Sequence, residues 1–293
     1  MFETVVSAVL IGLASGAVYA LIAIGMSLGF RSAGLVNVAQ GDLGVLAAYL
    51  GASLIASGLS YWLALAILCV GSAAAMVGLD RLLLRHLYGA NPTYLIIITV
   101  GISAIIEAAI TWHWGGNPLV YAPALGDSVL HVGGFRLFTQ DLVALGICLI
   151  VAALLAAALR FTSVGRDIRA GASDATAAEL CGISVGRTRA ISLGVSGLLA
   201  GLGGMVLAAL VALYPTTGLD VTLAAFVGAI IGGFGSMGGA VVGSLVVGLV
   251  GSVAGTYVPS VFHTVFVYLL LGLILLVRPS GLFGEEGVGL REV

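Results

Sequence analysis

No lysine occurs anywhere in the 293 residues, and all eleven basic side chains are arginine. That absence removes the Walker A nucleotide loop, Schiff-base chemistry and Ser-Lys dyads, each of which needs the lysine amine. Any ATP used on this chain's behalf is therefore bound by another chain. Charge of either sign is scarce: 8% of residues are charged and 60% are apolar, whereas a soluble chain carries roughly a quarter charged residues. A water-exposed surface cannot be built from so few. The formal net charge of -2 leaves no basic face for nucleic acid. Cys69, Cys148 and Cys181 form no C-x-x-C pair, and His86, His113, His131 and His263 fall on separate segments. The cysteines read as small apolar residues, and neither a metal site nor a cofactor is expected.

What the chain has in excess is glycine, 44 residues or about 15% against a usual roughly 7%, as expected where transmembrane helices pack closely. A helix needs about 20 apolar residues to cross the hydrocarbon. Predominantly apolar stretches of that order run from Thr4 to Phe30, Leu35 to Ser57, Trp62 to His86, Pro92 to Trp114, Thr139 to Arg160, Thr188 to Leu213 and Pro259 to Val277. The first lacks a positive amino-terminal region and reads as a retained helix. Leu219 to Gly255 is too long for one span and is broken by Gly232-Gly233-Phe234-Gly235-Ser236-Met237-Gly238-Gly239, so it reads as two short helices meeting at a glycine turn. The expectation is one all-α polytopic transmembrane bundle over 1–293, with about seven full spans plus this hairpin.

Cytoplasmic loops hold the excess of basic residues. With Arg31 inside, Arg81, Arg85, Arg160, Arg166, Arg169, Arg187, Arg189, Arg278 and Arg291 also fall inside and Arg136 alone outside. The amino terminus is then outside and the carboxyl terminus cytoplasmic, with a periplasmic loop over 115–138 and a cytoplasmic loop over 161–187. A sparse internal echo relates Ser32-Ala33-Gly34-Leu35 and Gly44 to Thr216-Thr217-Gly218-Leu219 and Gly228 at an offset of 184 residues. In this topology the two copies enter from opposite sides, the arrangement of an inverted repeat, which would place a pathway between them.

Gly-x-x-x-Gly pairs at Gly12/Gly16, Gly25/Gly29, Gly197/Gly201, Gly228/Gly232 and Gly239/Gly243 read as close helix contacts. Ionisable groups inside spans cost about 2.5 to 3.5 kcal/mol at mid-bilayer and face protein or water. Asn37, Gln40, Asp42 and Glu107 therefore either bond one another where helices bend or line a solute path. The inner loop carries Arg166-Asp167-Ile168-Arg169, and then Asp174, Ala177-Ala178-Glu179 and Gly182. These read as a short helix begun by an acid and stopped by glycine, in a loop long enough to dock a partner protein. Gly182-Ile183-Ser184-Val185-Gly186 matches G-x-S-x-G, but without the strand-to-helix turn, His and acid that a nucleophile elbow needs. Asp42 has no second aspartate to share a proton with, so catalysis is not expected.

Gly16-Ala17-Val18-Tyr19-Ala20-Leu21, then Gly34-Leu35-Val36-Asn37-Val38-Ala39-Gln40-Gly41-Asp42, resembles the opening of LivH-type permeases of branched-chain amino acid ABC importers. The resemblance continues through Arg169-Ala170, Asp174, Ala177-Ala178, Leu180-x-Gly182-Ile183 and Leu199-Ala200-Gly201-x-Gly203-Gly204. It closes with Pro215, Gly218, Gly232-Gly233-x-Gly235-Ser236-x-x-Gly239-Ala240 and Arg278-Pro279-x-Gly281-Leu282-Phe283-Gly284. It implies a permease of the bacterial inner membrane, paired with a LivM-type permease, two cytoplasmic ATPase subunits and an external amino-acid-binding protein. It implies that Asn37, Gln40, Asp42 and Glu107 line the translocation pathway. Arg169, Asp174, Ala178, Glu179 and Gly182 would couple to an ATPase, with Ala177 to Gly182 resembling a degenerate EAA-type motif. Gly233, Gly235, Ser236 and Gly239 would form a glycine break that gates. Gln40 stands where many relatives have His and Glu107 where many have an amide, which leaves open which amino acid, urea or amide is carried. The rival reading is an ion-coupled secondary transporter with Asp42 and Glu107 as ion sites, and it requires transport by this chain alone.

Overall fold

A computed structural model describes residues 2–34, 36–87, 92–120, 129–132, 135–257, 263–278 and 281–283. Leu35, Pro279, Gly284 and Arg291 lie outside the described residues, as do 121–128 and 133–134 of the expected outer loop. The helices are α1 Phe2–Ala33, α2 Gln40–Ala56, α3 Tyr61–Leu82, α4 Pro92–Trp114, α5 Thr139–Phe161, α6 Ser163–Ser173, α7 Ala175–Leu180, α8 Val185–Ala208, α9 Thr217–Gly232, α10 Met237–Tyr257 and α11 His263–Val277. Before α5, strands β1 Val129–Val132 and β2 Phe135–Phe138 pair antiparallel, an ordered hairpin inside what reads from sequence as a loop.

Among the described residues, six helical segments are long and apolar enough to span a membrane, while Gln40–Ala56, Thr217–Gly232 and Val265–Val277 are shorter. The expected Leu35–Ser57 span is thus trimmed at its start. Gly34 leaves α1 at φ 63°, and the Asn37 side-chain oxygen accepts from Ala39 N–H at 3.1 Å, an Asx turn that competes with helix. At 17 residues, α2 extends only about 26 Å. The glycine-broken region is two helices, but only α9 is short: no charge interrupts the 21 residues of α10, which is itself of spanning length.

Close glycine contacts give the directions of the helices. Gly203 of α8 lies beside Val18 and Ile22 of α1, and Gly25 of α1 beside Ser196 of α8, so these two central helices are antiparallel. Gly12 and Gly16 of α1 press on Gly248 and Ser244 of α10; correspondingly, Gly197 and Gly201 of α8 press on Ser72 and Leu68 of α3. The first helix of each half therefore packs on the third helix of the other. Gly228 and Gly232 of α9 meet Ser244 and Gly239 of α10 in antiparallel contact, whereas Gly44 of α2 runs alongside Ala200 and Gly204 of α8. Each short helix thus opposes the helix before it, and the whole second half opposes the first. The echo in sequence corresponds to an inverted packing repeat. Backbone contact of this kind is what drives association in lipid, where hydrophobic exclusion between helices is absent.

Candidate functional site

The amino ends of the two short helices meet at the centre of the bundle. Gly41 N–H donates to Thr222 Oγ at 2.9 Å, and Thr222 Oγ donates to Gly218 O at 2.9 Å. A Cβ on Gly41 would strike the Gly218 carbonyl and the Thr222 side chain, and one on Gly218 would strike Asp42. Only glycine permits this approach.

Around that contact lie buried polar groups. Gln40 Nε2 donates to Ile22 O of α1 at 3.0 Å, and its Oε1 accepts from Ser196 Oγ of α8 at 3.0 Å. Ser103 Oγ of α4 donates to Asp42 Oδ2 at 2.5 Å; Asp42 is 1% exposed, and its Oδ1 has no hydrogen-bond partner among the described residues. Asn37 Nδ2 approaches Met76 Sδ of α3 at 3.5 Å, and Val38 N–H donates to Thr99 Oγ at 3.3 Å. The Asp42 carboxylate occupies the first turn of α2 and packs over the first turn of α9, where both helix dipoles favour negative charge.

The structure therefore buries Asn37, Gln40 and Asp42 together at the start of α2, each with hydrogen-bond partners of its own on a different helix. Glu107, half-buried, sits at the edge of this group, one turn beyond Ser103 on α4. Reading for charges alone misses Ser103, Ser196, Thr99 and Thr222, although each is a hydroxyl inside an apolar run. The offset of 184 residues marks Gly218 as the counterpart of Gly34, but it pairs Thr222 with Val38 and so gives no sign of the hydroxyl.

At one end of the bundle, α6 and α7 form a helical hairpin. Thr162 caps α6 by accepting from Gly165 N–H at 3.2 Å, and Asp174 caps α7 by accepting from Ala177 N–H at 3.0 Å. Gly182 ends the turn at φ 84°, with Ile183 N–H returning to Ala178 O at 3.0 Å. Ala178 is buried, while Asp174, Glu179 and Arg169 are exposed; the Arg169 guanidinium donates to the Leu159 carbonyl. Leu180, 86% exposed, is an apolar knob on α7 that charge patterning does not reveal.

The glycine break is built from Gly233 and Gly235, at φ 100° and 93°. Ser236 Oγ accepts from Gly239 N–H at 3.2 Å and starts α10. Leu282 and Phe283 N–H donate to Ile231 and Gly232 O at 2.8 and 3.0 Å, so the segment after α11 caps α9. No group of three or more potential metal-ligating side chains occurs among the described residues.

Comparison with known proteins supplies the rest. Residues 8–278 match the family described as branched-chain amino acid transport system / permease component. The chain is 27% identical to the high-affinity branched-chain amino acid transport system permease protein LivH of Escherichia coli strain K12, over 94% of both chains. It is 26% identical to the corresponding BraD protein of Pseudomonas aeruginosa, over 94% of this chain and 95% of that one. It is 28% identical to a probable LivH of Methanocaldococcus jannaschii, over 93% and 90%. No solved structure matches. A polytopic bundle whose halves meet at a buried polar junction, matched by one family model along almost its whole length, belongs to the permease components of branched-chain amino acid transport systems.

Proposed function

We propose that this permease forms one half of the translocation pathway of an ATP-driven importer for branched-chain or related small amino acids. Its partners are a LivM-type permease, two cytoplasmic ATPase subunits and an external binding protein. The amino terminus lies outside and the α6–α7 hairpin in the cytoplasm. The observation that carries the reading is the pairing of short helices α2 and α9, one from each inverted half, through Gly41, Gly218 and Asp42. Helices that stop mid-bundle with their amino ends together are the pivots around which transporter halves rock.

On this reading Asn37, Gln40, Asp42 and Glu107 flank the path and hold it shut in the present conformation. Arg169, Asp174, Ala178, Glu179 and Gly182 shape the hairpin that receives the ATPase stroke. Gly233, Gly235, Ser236 and Gly239 let α9 tilt against α10. The chain carries solute and leaves hydrolysis to its partners, consistent with the absence of lysine. Purification of a tagged chain co-expressed with its untagged genomic neighbours tests the assembly. A second permease and an ATPase should be retained through size exclusion, and a chain that purifies as a self-sufficient carrier would contradict the proposal.

A further inference from the structure

Outside the junction, one cavity of about 210 Å³ lies between α1, α9, α10 and α11. Its walls are aliphatic side chains and bare helix backbone: Ile11, Val247 and Val267, with Gly251 among the glycines of α10. Set into that apolar lining are Ser15 and Tyr19, one turn apart on α1 and so on one face. Among the described residues neither hydroxyl makes a hydrogen bond. Asp220, exposed in the first turn of α9, is near enough for its charge to act on Tyr19.

A cavity of this size falls below the roughly 300–1,000 Å³ of drug-sized sites. An acyl chain entering from the bilayer would leave both hydroxyls unpaired, at a penalty of about 1–3 kcal/mol for each one buried. A small zwitterion with an aliphatic side chain satisfies every feature. Its carboxylate would accept from Ser15 and Tyr19, and its side chain would rest against Ile11, Val247 and Val267. The groove also shares the first turn of α9 with the junction: Gly218 touches Asp42 on one side, and Asp220 addresses Tyr19 on the other. Tilting of α9 would change both at once.

Resting on the importer reading, we propose that this groove is a transient binding site for the amino acid in transit, with Ser15 and Tyr19 as its polar contacts. The test uses the complete importer, reconstituted with its partners in phosphatidylethanolamine–phosphatidylglycerol vesicles and loaded with photo-leucine, a diazirine-bearing branched amino acid. Photo-leucine should label the Ile11–Tyr19 and Val247–Gly251 stretches. Ser15→Ala/Tyr19→Phe, which retains the aromatic ring and hence the packing, should co-purify its partners at the unsubstituted level. Loss of hydrogen bonds to a charged group should lower its uptake by about tenfold or more. Gly251→Leu, which fills the cavity, should lower uptake likewise. Unchanged uptake in the hydroxyl variant would overturn the proposal, as would labelling of these stretches by a diazirine phospholipid and not by photo-leucine. Either result would leave the importer reading standing. Failure of the unsubstituted complex to take up any branched-chain amino acid would defeat that reading and this inference with it.

Discussion

Gly41 and Gly218 touch because neither carries a Cβ, and the atoms a methyl would meet include backbone that cannot swing aside. Gly218→Ala is therefore expected to destabilise the detergent-solubilised chain by about 1–3 kcal/mol through overpacking. Gly78→Ala, where a Cβ meets nothing within 4 Å, should be neutral or slightly stabilising, because Ala is the better helix former. Thermal unfolding of the two variants checks this, and equal melting temperatures would refute the contact. Asp42 presents a different case, since its substitution by Asn keeps volume and can still accept from Ser103. What is lost is the charge favoured by two helix amino ends, worth about 0.3–2 kcal/mol. Asp42→Asn should keep partner subunits attached while altering the rate of solute uptake. Loss of the partners on co-purification would move Asp42 from the path to the assembly.

Coupling belongs to the scale of elements. The α6–α7 hairpin is stitched by caps at Thr162, Asp174 and Gly182 and turns an exposed Glu179 and Leu180 outward. No packing within the bundle requires those two side chains. Glu179→Arg and Gly182→Leu should therefore reach normal membrane levels but lose uptake. Reversing the charge opposes docking on a basic groove, and a leucine at φ 84° strains the turn by about 1–2 kcal/mol. Full uptake together with full retention of both ATPases would remove the hairpin from the coupling path. Legibility varied among the elements for identifiable reasons. Asp174 and Gly182 made α7 readable because a cap and a stop leave local chemical signals. By contrast, α6 is amphipathic but short and polar on average, with Arg166, Asp167 and Arg169 around Gly165 and Ile168, so in sequence it resembles a charged connector between spans. The strands at 129–138 were missed because the periodicity of four-residue strands is too brief to detect. The trimmed start of α2 was missed because apolar Val36, Val38 and Ala39 mask a turn set by Asn37. The junction was half legible, since charges in apolar runs stand out and hydroxyls do not.

Inversion is the property of the whole molecule. The bonds of α4 to Val38, Asp42 and Ser53 run it alongside α2, and with the glycine contacts of α8 they put the ends of α4 and α8 on one side, where Leu119 and Leu213 exchange backbone hydrogen bonds at 2.7 and 2.9 Å. The α6–α7 hairpin lies at the opposite end, between α5 and α8. In the proposed topology, which the arginine bias supports, the hairpin side is cytoplasmic. In a cysteine-free background, Thr176→Cys in the exposed start of α7 should be labelled by a membrane-impermeant maleimide only after the cells are opened. Labelling on intact cells would invert the topology. As proposed, this permease moves solute only as part of an ATP-driven assembly, and uptake of radiolabelled leucine, isoleucine and valine into proteoliposomes tests this most directly. The complete complex with ATP and loaded binding protein should accumulate at least one of them, and the chain alone under a sodium or proton gradient should accumulate none. Gradient-driven uptake by the chain alone would contradict it.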